Sequence, residues 1–393
     1  MRQHDLFLSA IMIALIGACA PNALKLPWRG AGVARPGADP GAPPPPQAPA
    51  HRPFLMGFTL WPADLSREGV RAAEEFAYAH GDIVSIMLIG GIPWPEALEG
   101  KPYSRDVQQA LSYRPPAGKK LFLSISPLDK DRRTLAPYWG ERDSMPLPSP
   151  WDRETLNSAR VKKAFLQFVV RSVQTLRPDY LAIGVESNVL LSREPAKWAA
   201  LKDLHRETYG ALKKAFPALP VFFTTEVLHY KKLASDAKRA DQEREVAELM
   251  KFSDLFAMSV YPHMSREVPR PVPGEFLDFA TRFRKPIAVS ESGMTSRAVQ
   301  LRSYGVTLPG SEDDQRHFTE LLLNVAARDR YLFVINFATT DSDRLVARLR
   351  PPLDDLARIY AYLGMQTSDR RPKPASAVWD GFYRARYEKA KWW

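Results

Sequence analysis

A single cysteine, Cys19, in 393 residues excludes an internal disulfide and any metal site built from several thiolates. Histidine is also scarce: the chain has seven, with no His-x-His and no His-Glu-x-x-His pattern, so no metal and no cofactor is expected. Long blocks of Lys or Arg are missing as well. The formal charge is +11, from 55 basic and 44 acidic residues, but the two signs interleave along the chain. No nucleic-acid motif accompanies them, so the excess reads as a basic surface and not as a nucleic-acid partner. What is plentiful is apolar material, 45% of residues, enough for one large core.

The beginning of the chain is unlike the rest. Leu6 to Ala18 is a mostly apolar run of 13 residues preceded by Arg2. It is short for a bilayer span and has the length of a signal-peptide core. It ends in Ile16-Gly-Ala-Cys19, which resembles the lipobox of bacterial lipoproteins. The resemblance implies a signal peptide over 1–18, cleavage before Cys19 and lipidation of its thiol, giving a membrane partner through the N-terminal lipid. Ala20, in place of Asp, resembles outer-membrane sorting, so a lipid-anchored place in the bacterial cell envelope is expected. Arg35 to Pro53 is dense in Pro, Ala and Gly, including Pro43-Pro-Pro-Pro46. Proline removes the backbone donor and fixes φ, so residues 19–53 form a stiff tether of roughly 3 Å per residue where polyproline-like.

From Phe54 onward short apolar runs alternate with longer amphipathic ones. Strands are predicted at Phe54–Leu60, Asp82–Leu88, Lys120–Ser126, Tyr180–Val185, Val221–Thr225, Leu255–Val260, Pro286–Ser290 and Leu332–Phe337. Between them lie helical patterns at Arg67–Ala79, Asn157–Leu176, Pro195–Ala215, Asp241–Lys251, Glu275–Arg282 and Asp313–Arg328, with a last one at Pro352–Leu363. Eight such units over 54–364 predict an α/β fold, a (β/α)8 TIM barrel. An open doubly wound nucleotide-binding sheet would show a glycine-rich turn after its first strand. Here that place holds Trp61-Pro-Ala-Asp64.

Two glutamates stand out, 105 positions apart: Glu186 in Ile183-Gly-Val-Glu-Ser-Asn188 and Glu291 in Val289-Ser-Glu-Ser-Gly293. Each closes an apolar run where a barrel strand meets its loop, at the mouth shared by all strands. Two carboxylates across one cleft are what glycosidic cleavage requires. With Ser259-Val-Tyr-Pro262 added, the chain resembles clan A glycoside hydrolases, most similarly the family 53 endo-β-1,4-galactanases. The resemblance implies a retaining mechanism on a β-linked poly- or oligosaccharide, with Glu186 as acid/base, Glu291 as nucleophile and Tyr261 holding Glu291 by a hydrogen bond. Two positions depart from the pattern. The clan usually has Asn before the acid/base, where this chain has Val185, and it often ends strand eight in Trp, where this chain has Ile335-Asn336-Phe337. Val185 keeps a second reading open: a non-catalytic glycan-binding lipoprotein in polysaccharide export or surface scaffolding.

Further candidates for sugar contact are Asn188, Glu226, His263 and Asn336 near strand ends, and Trp61 and Trp94, whose indole faces suit pyranose rings. The long irregular stretch between Ser126 and Asn157, rich in Pro and holding Trp139 and Trp151, is expected to shape the cleft. The basic, aromatic tail over 365–393 repeats aromatics at helical spacing, Trp379, Tyr383 and Tyr387. A helix packed on the barrel and a contact with an anionic membrane surface both fit.

Overall fold

The computed structural model describes residues 49–389 apart from 65, 235, 238–240 and 350–352. The expected signal peptide, Cys19 and most of the tether lie outside the described residues, as do Trp392 and Trp393. Among the described residues no helix is long and apolar enough to cross a membrane.

Nine parallel strands form the central sheet: β1 Leu55–Thr59, β2 Ile83–Leu88, β3 Lys120–Ile125, β4 Tyr180–Ala182, β5 Val221–Phe222, β6 Thr224–Glu226, β7 Phe256–Val260, β8 Ile287–Ser292 and β9 Phe333–Asn336. Their order is β5-β4-β3-β2-β1-β9-β8-β7-β6. β5 and β6 are halves of one strand, broken at Phe223, so the sheet begins and ends on the same strand and closes into a (β/α)8 barrel. All eight expected strands are present.

Strand alternation sorts side chains to two sides. Met56, Phe58, Val84, Leu121, Leu123, Val289 and Val334 face the helices. Leu55, Ile83, Phe122, Phe222, Ala257, Ala288, Phe333 and Ile335 fill the barrel interior. The floor is aromatic: Phe122 lies 5.5 Å from Phe222 and 5.2 Å from Phe333, and Tyr180 lies 4.8 Å from Phe333. Burying each such ring contributes about 1.5–3 kcal/mol.

Helices α1 Arg67–Ala79, α2 Ala159–Leu176, α3 Trp198–Ala215 and α4 Glu312–Arg328 surround the strands. Three start at the serines their sequences offer. Ser66, Ser158 and Ser311 each accept from a first-turn amide, and acidic Glu312, Asp313 and Asp314 follow Ser311 where the helix dipole favours them. Two helical expectations are corrected. The segment near Glu275–Arg282 is a tighter 3-10 turn over Asp278–Phe283, and within Pro352–Leu363 only Leu353–Arg358 is helical.

The place of the barrel's eighth helix is taken by α5 Pro374–Arg384, from the stretch read as a tail. It packs along α4. Its Trp379 ring lies 4.7 Å from Phe58 and donates its N–H to the His80 carbonyl at 2.9 Å. Beyond it, Arg386–Tyr387 pairs in parallel with His51–Arg52. Arg52 is held between the Tyr383 and Tyr387 rings and bonds Asp82 at 2.7 Å. A buried ion pair, Lys373 to Asp341 at 2.8 Å, clamps the approach to α5 onto the loops after β8 and β9, where Lys373 also meets Ser296 at 3.0 Å.

Candidate active site

Two local irregularities aim the glutamates. Along β8, Ala288 pairs with Ala257 and Val289 with Met258, but Glu291, not Ser290, pairs with Ser259. Ser290 is the extra residue of a β-bulge. Without it the alternation would turn Ser290 inward and Glu291 out toward the helices. After β4, residues 183–187 leave the ladder and are pinned to β6. The Glu186 amide donates to Thr224 Oγ1 at 2.7 Å and the Ser187 amide to the Thr224 carbonyl at 3.0 Å. Glu186 has φ +49, left-handed for a residue with a side chain. Gly184 permits the tight turn, since a Cβ there would stand 2.4 Å from Ser187 Oγ.

The two carboxylates meet electrostatically at the C-terminal rim. Glu186 is 1% and Glu291 6% exposed. Burial pushes Glu291 up, Glu186's charge adds to it, and the hydrogen bond from Tyr261 and the charge of Arg132 only partly offset them, leaving it at about 8. Tyr261 donates its hydroxyl to Glu291 Oε2 at 2.9 Å. Glu186 is likewise raised by burial, against the opposing pull of Arg132.

Arg132, in the loop after β3, is the residue sequence reasoning missed. It is 2% exposed, and its Nη2 donates to Glu186 Oε2 at 3.2 Å. Its Nε donates to the Val185 carbonyl at 2.9 Å, and its Nη1 to the carbonyls of Lys130 at 2.6 Å and Asp129 at 3.3 Å. Its φ is +54, so both members of this buried ion pair hold left-handed backbones. Nothing local marks it: it is one Arg in the charged run Asp129-Lys-Asp-Arg-Arg133.

Several sequence candidates are committed to other work. Asn188 donates to the Glu226 carbonyl at 3.0 Å and Gln242 Oε1 at 2.9 Å, and accepts from the Glu226 amide at 2.8 Å. Glu226 itself accepts from the amides of Leu228 and His229, at 3.0 and 2.6 Å, and from the His229 ring at 2.5 Å. The far side of that ring reaches Asp236 at 2.9 Å. Burial alone would lower His229, but its bonds to Asp236 and Glu226 push it up to about 9. Trp94 is fully buried, stacks on Trp151 at 5.5 Å and donates to the Ala136 carbonyl at 2.9 Å, so it is core of the long loop and not a sugar platform. His263 meets the Ile359 carbonyl at 3.2 Å, and Asn336 donates to the carbonyls of Ala338 at 2.8 Å and Leu363 at 3.3 Å. Both tie down the segment after β9.

Trp61 does reach the mouth. Its ring lies 6.0 Å from Phe337, and its buried N–H finds no acceptor among the described residues. The inward hydroxyls of Thr59, Ser85 and Ser259 also lack partners there, so the interior between the aromatic floor and the carboxylates is polar.

Solved structures share this fold. A family 5, subfamily 18 glycoside hydrolase of Streptomyces cattleya, in complex with Manβ1-4GlcNAc, matches with TM-score 0.58 and 15% identity, over 83% of this chain and 79% of that one. The family 53 catalytic domain of Ignisphaera aggregans matches with TM-score 0.52 and 14% identity, over 88% of this chain and 99% of that one. The fold is that of the clan A glycoside hydrolases. The exo-β-1,4-mannosidase of Opitutaceae bacterium strain TAV5 has the same clan A barrel, with TM-score 0.57 and 15% identity over 84% of this chain, which spans 59% of that enzyme. No family model matches the sequence, and no curated protein matches it.

Against the usual clan A pattern, the two departures prove to be neighbours. Val185 and Phe337 sit in one apolar cluster with Trp61 and Tyr261, roofed by Ile359, Tyr360 and Leu363 from the segment after β9. Tyr360 meets Tyr261 edge-on at 5.8 Å.

Proposed function

We propose that this protein is a retaining glycoside hydrolase acting on a β-linked poly- or oligosaccharide, held at the cell envelope by a lipid on Cys19. The observation that carries the reading is the meeting of Glu186 and Glu291 at one rim, with Tyr261 bonded to the second at 2.9 Å. Glu291 attacks the anomeric carbon while Tyr261 holds the attacking carboxylate in line. Glu186 protonates the departing oxygen and then, as a carboxylate, activates the water that releases the sugar. Burial raises both carboxyls, so the pair retains a proton near neutral pH, and the roles follow when the bound sugar leaves that proton on Glu186 and Glu291 ionised. Proton transfer of this kind contributes about 10²–10⁴ in rate.

The test is a polysaccharide screen read by new reducing ends, with anomeric configuration followed by NMR. Glu186→Gln and Glu291→Gln each abolish release while sparing binding. The second reading, a non-catalytic glycan-binding protein, is favoured by Val185 and by the ion pair that holds Glu186. Binding without turnover across the screen would establish it.

A further inference from the structure

Arg132 poses a chemical problem for a general acid. The guanidinium pulls Glu186 toward its ionised form, against the burial that raises it. The pair is also not free to drift apart. Three backbone carbonyls, of Val185, Lys130 and Asp129, fix two of the guanidinium nitrogens and leave Nη2 turned toward Glu186. Any sugar placed for protonation by Glu186 therefore comes within hydrogen-bonding reach of the same cation. Beside it, Val185 has replaced an amide that would bind a neutral hydroxyl. The rim thus holds a fixed cation and little at this point to recognise an uncharged sugar.

We infer that Arg132 recognises an anionic sugar, a uronate whose carboxylate displaces Glu186 from the guanidinium. The inference rests on the reading of Glu186 as the acid. The exchange balances simply. The sugar carboxylate takes over the Nη2–H bond. Glu186, released, takes the proton that the pair retains and becomes the acid that the leaving oxygen needs, which leaves Glu291 ionised. The other groups facing Glu186 are Arg193 at the end of helix Asn188–Arg193, Glu226 of β6, His229 beyond it, Tyr261 after β7 and Glu291 of β8. Arg193 and His229 are already paired with Asp236, at 3.0 and 2.9 Å, so neither replaces Arg132 as the counter-ion. The overall charge of +11 draws polyanionic chains toward the protein in the same sense.

The experiment is calorimetric titration of the full protein at pH 7 with tetrasaccharides of β-1,4-linked glucuronate, β-1,4-linked mannuronate and, as the neutral counterpart, cellotetraose. At least one uronate binds about tenfold or more tightly than cellotetraose. Arg132→Met removes the preference, whereas Arg132→Lys keeps a part of it, having the charge without the planar fork. R132M/E186Q, which removes both buried charges, serves as the folded control and shows no preference either. Equal or tighter binding of cellotetraose, a preference that survives in R132M, or no binding by any of the three would overturn the inference. Turnover of a neutral glycan without uronate preference sinks this inference and leaves the glycosidase reading. Uronate preference without turnover of any polysaccharide does the reverse.

Discussion

The floor and the mouth of this barrel are made by the same eight strands and follow different rules. At the floor, the rings of Phe122, Phe222 and Phe333 lie 5.2 to 6.4 Å apart, with Tyr180 4.8 Å from Phe333, and bury little that needs a specific partner. At the mouth, a buried ion pair, two left-handed residues, a bulge and a pair of raised carboxyls crowd together. Strain and buried charge gather at the mouth, and the floor beneath supplies the stability that tolerates them.

The largest expected effect separates the two regions by function. Glu291→Gln lowers turnover by about 10²–10⁴, measured by reducing-end release, with the melting temperature unchanged or raised, whereas Glu186→Gln lowers turnover alike and also lowers the melting temperature, because it leaves Arg132 buried without its counter-ion. Phe222→Ala at the floor costs about 3–5 kcal/mol in denaturant unfolding, and the protein that remains folded keeps its specific activity. If the floor variant lost turnover per folded molecule, the division between regions would fail.

Arg132→Met sharpens the same contrast from the mouth side. It leaves Glu186 buried without its counter-ion and costs about 3–5 kcal/mol, whereas R132M/E186Q recovers most of that loss. Chemical denaturation of the two variants measures the difference, and equal losses would mean that the arginine acts through packing alone.

Titration gives the mouth a signature that the floor lacks. Glu291 stands at about 8 in the folded protein against 4.5 for a free glutamate, so folding favours its protonated form. That stabilisation is full below 4.5 and is lost as pH rises through about 8. His229, at about 9 against 6.5, adds stability that is full below 6.5 and lost as pH rises through about 9. His205 and His263 are lowered by burial to about 4 and change stability only below 6.5. Between pH 6.5 and 9 the melting temperature should therefore fall, with Glu291→Gln removing the portion up to about 8. A flat profile in the parent protein would contradict the buried, coupled carboxyls. The smallest effect is at Tyr261: Tyr261→Phe removes one hydrogen bond to a charged group, about 1.5–3 kcal/mol at most. It should slow turnover and push Glu291 further up in the pH–rate profile.

Much of this was legible in the chain. The eight strands announce themselves because a buried parallel strand is a short apolar run, and the helices because amphipathic segments lie between them. Glu186, Glu291 and Tyr261 end such runs, and the Tyr261 hydrogen bond to Glu291 is the one expected. Asn188 and Glu226 looked equally available and were not, since their partners, Gln242, Leu228 and His229, are chosen by the fold of a loop. Trp94 looked like a sugar platform because a sequence does not show which indoles have another indole to stack on.

The order of strands and helices, and the two glutamates at strand ends, are written in the chain, because periodicity and strand ends are local properties of it. The tertiary structure alone decided that Glu291 faces inward, that Arg132 holds Glu186, and that Pro374–Arg384 completes the barrel. Each depends on residues brought together across dozens or hundreds of positions: a bulge set by the register with β7, an ion pair spanning two loops, and a helix that finds its place between α4 and α1. Contacts of that range are fixed by packing the whole barrel, and no window of neighbouring residues carries them.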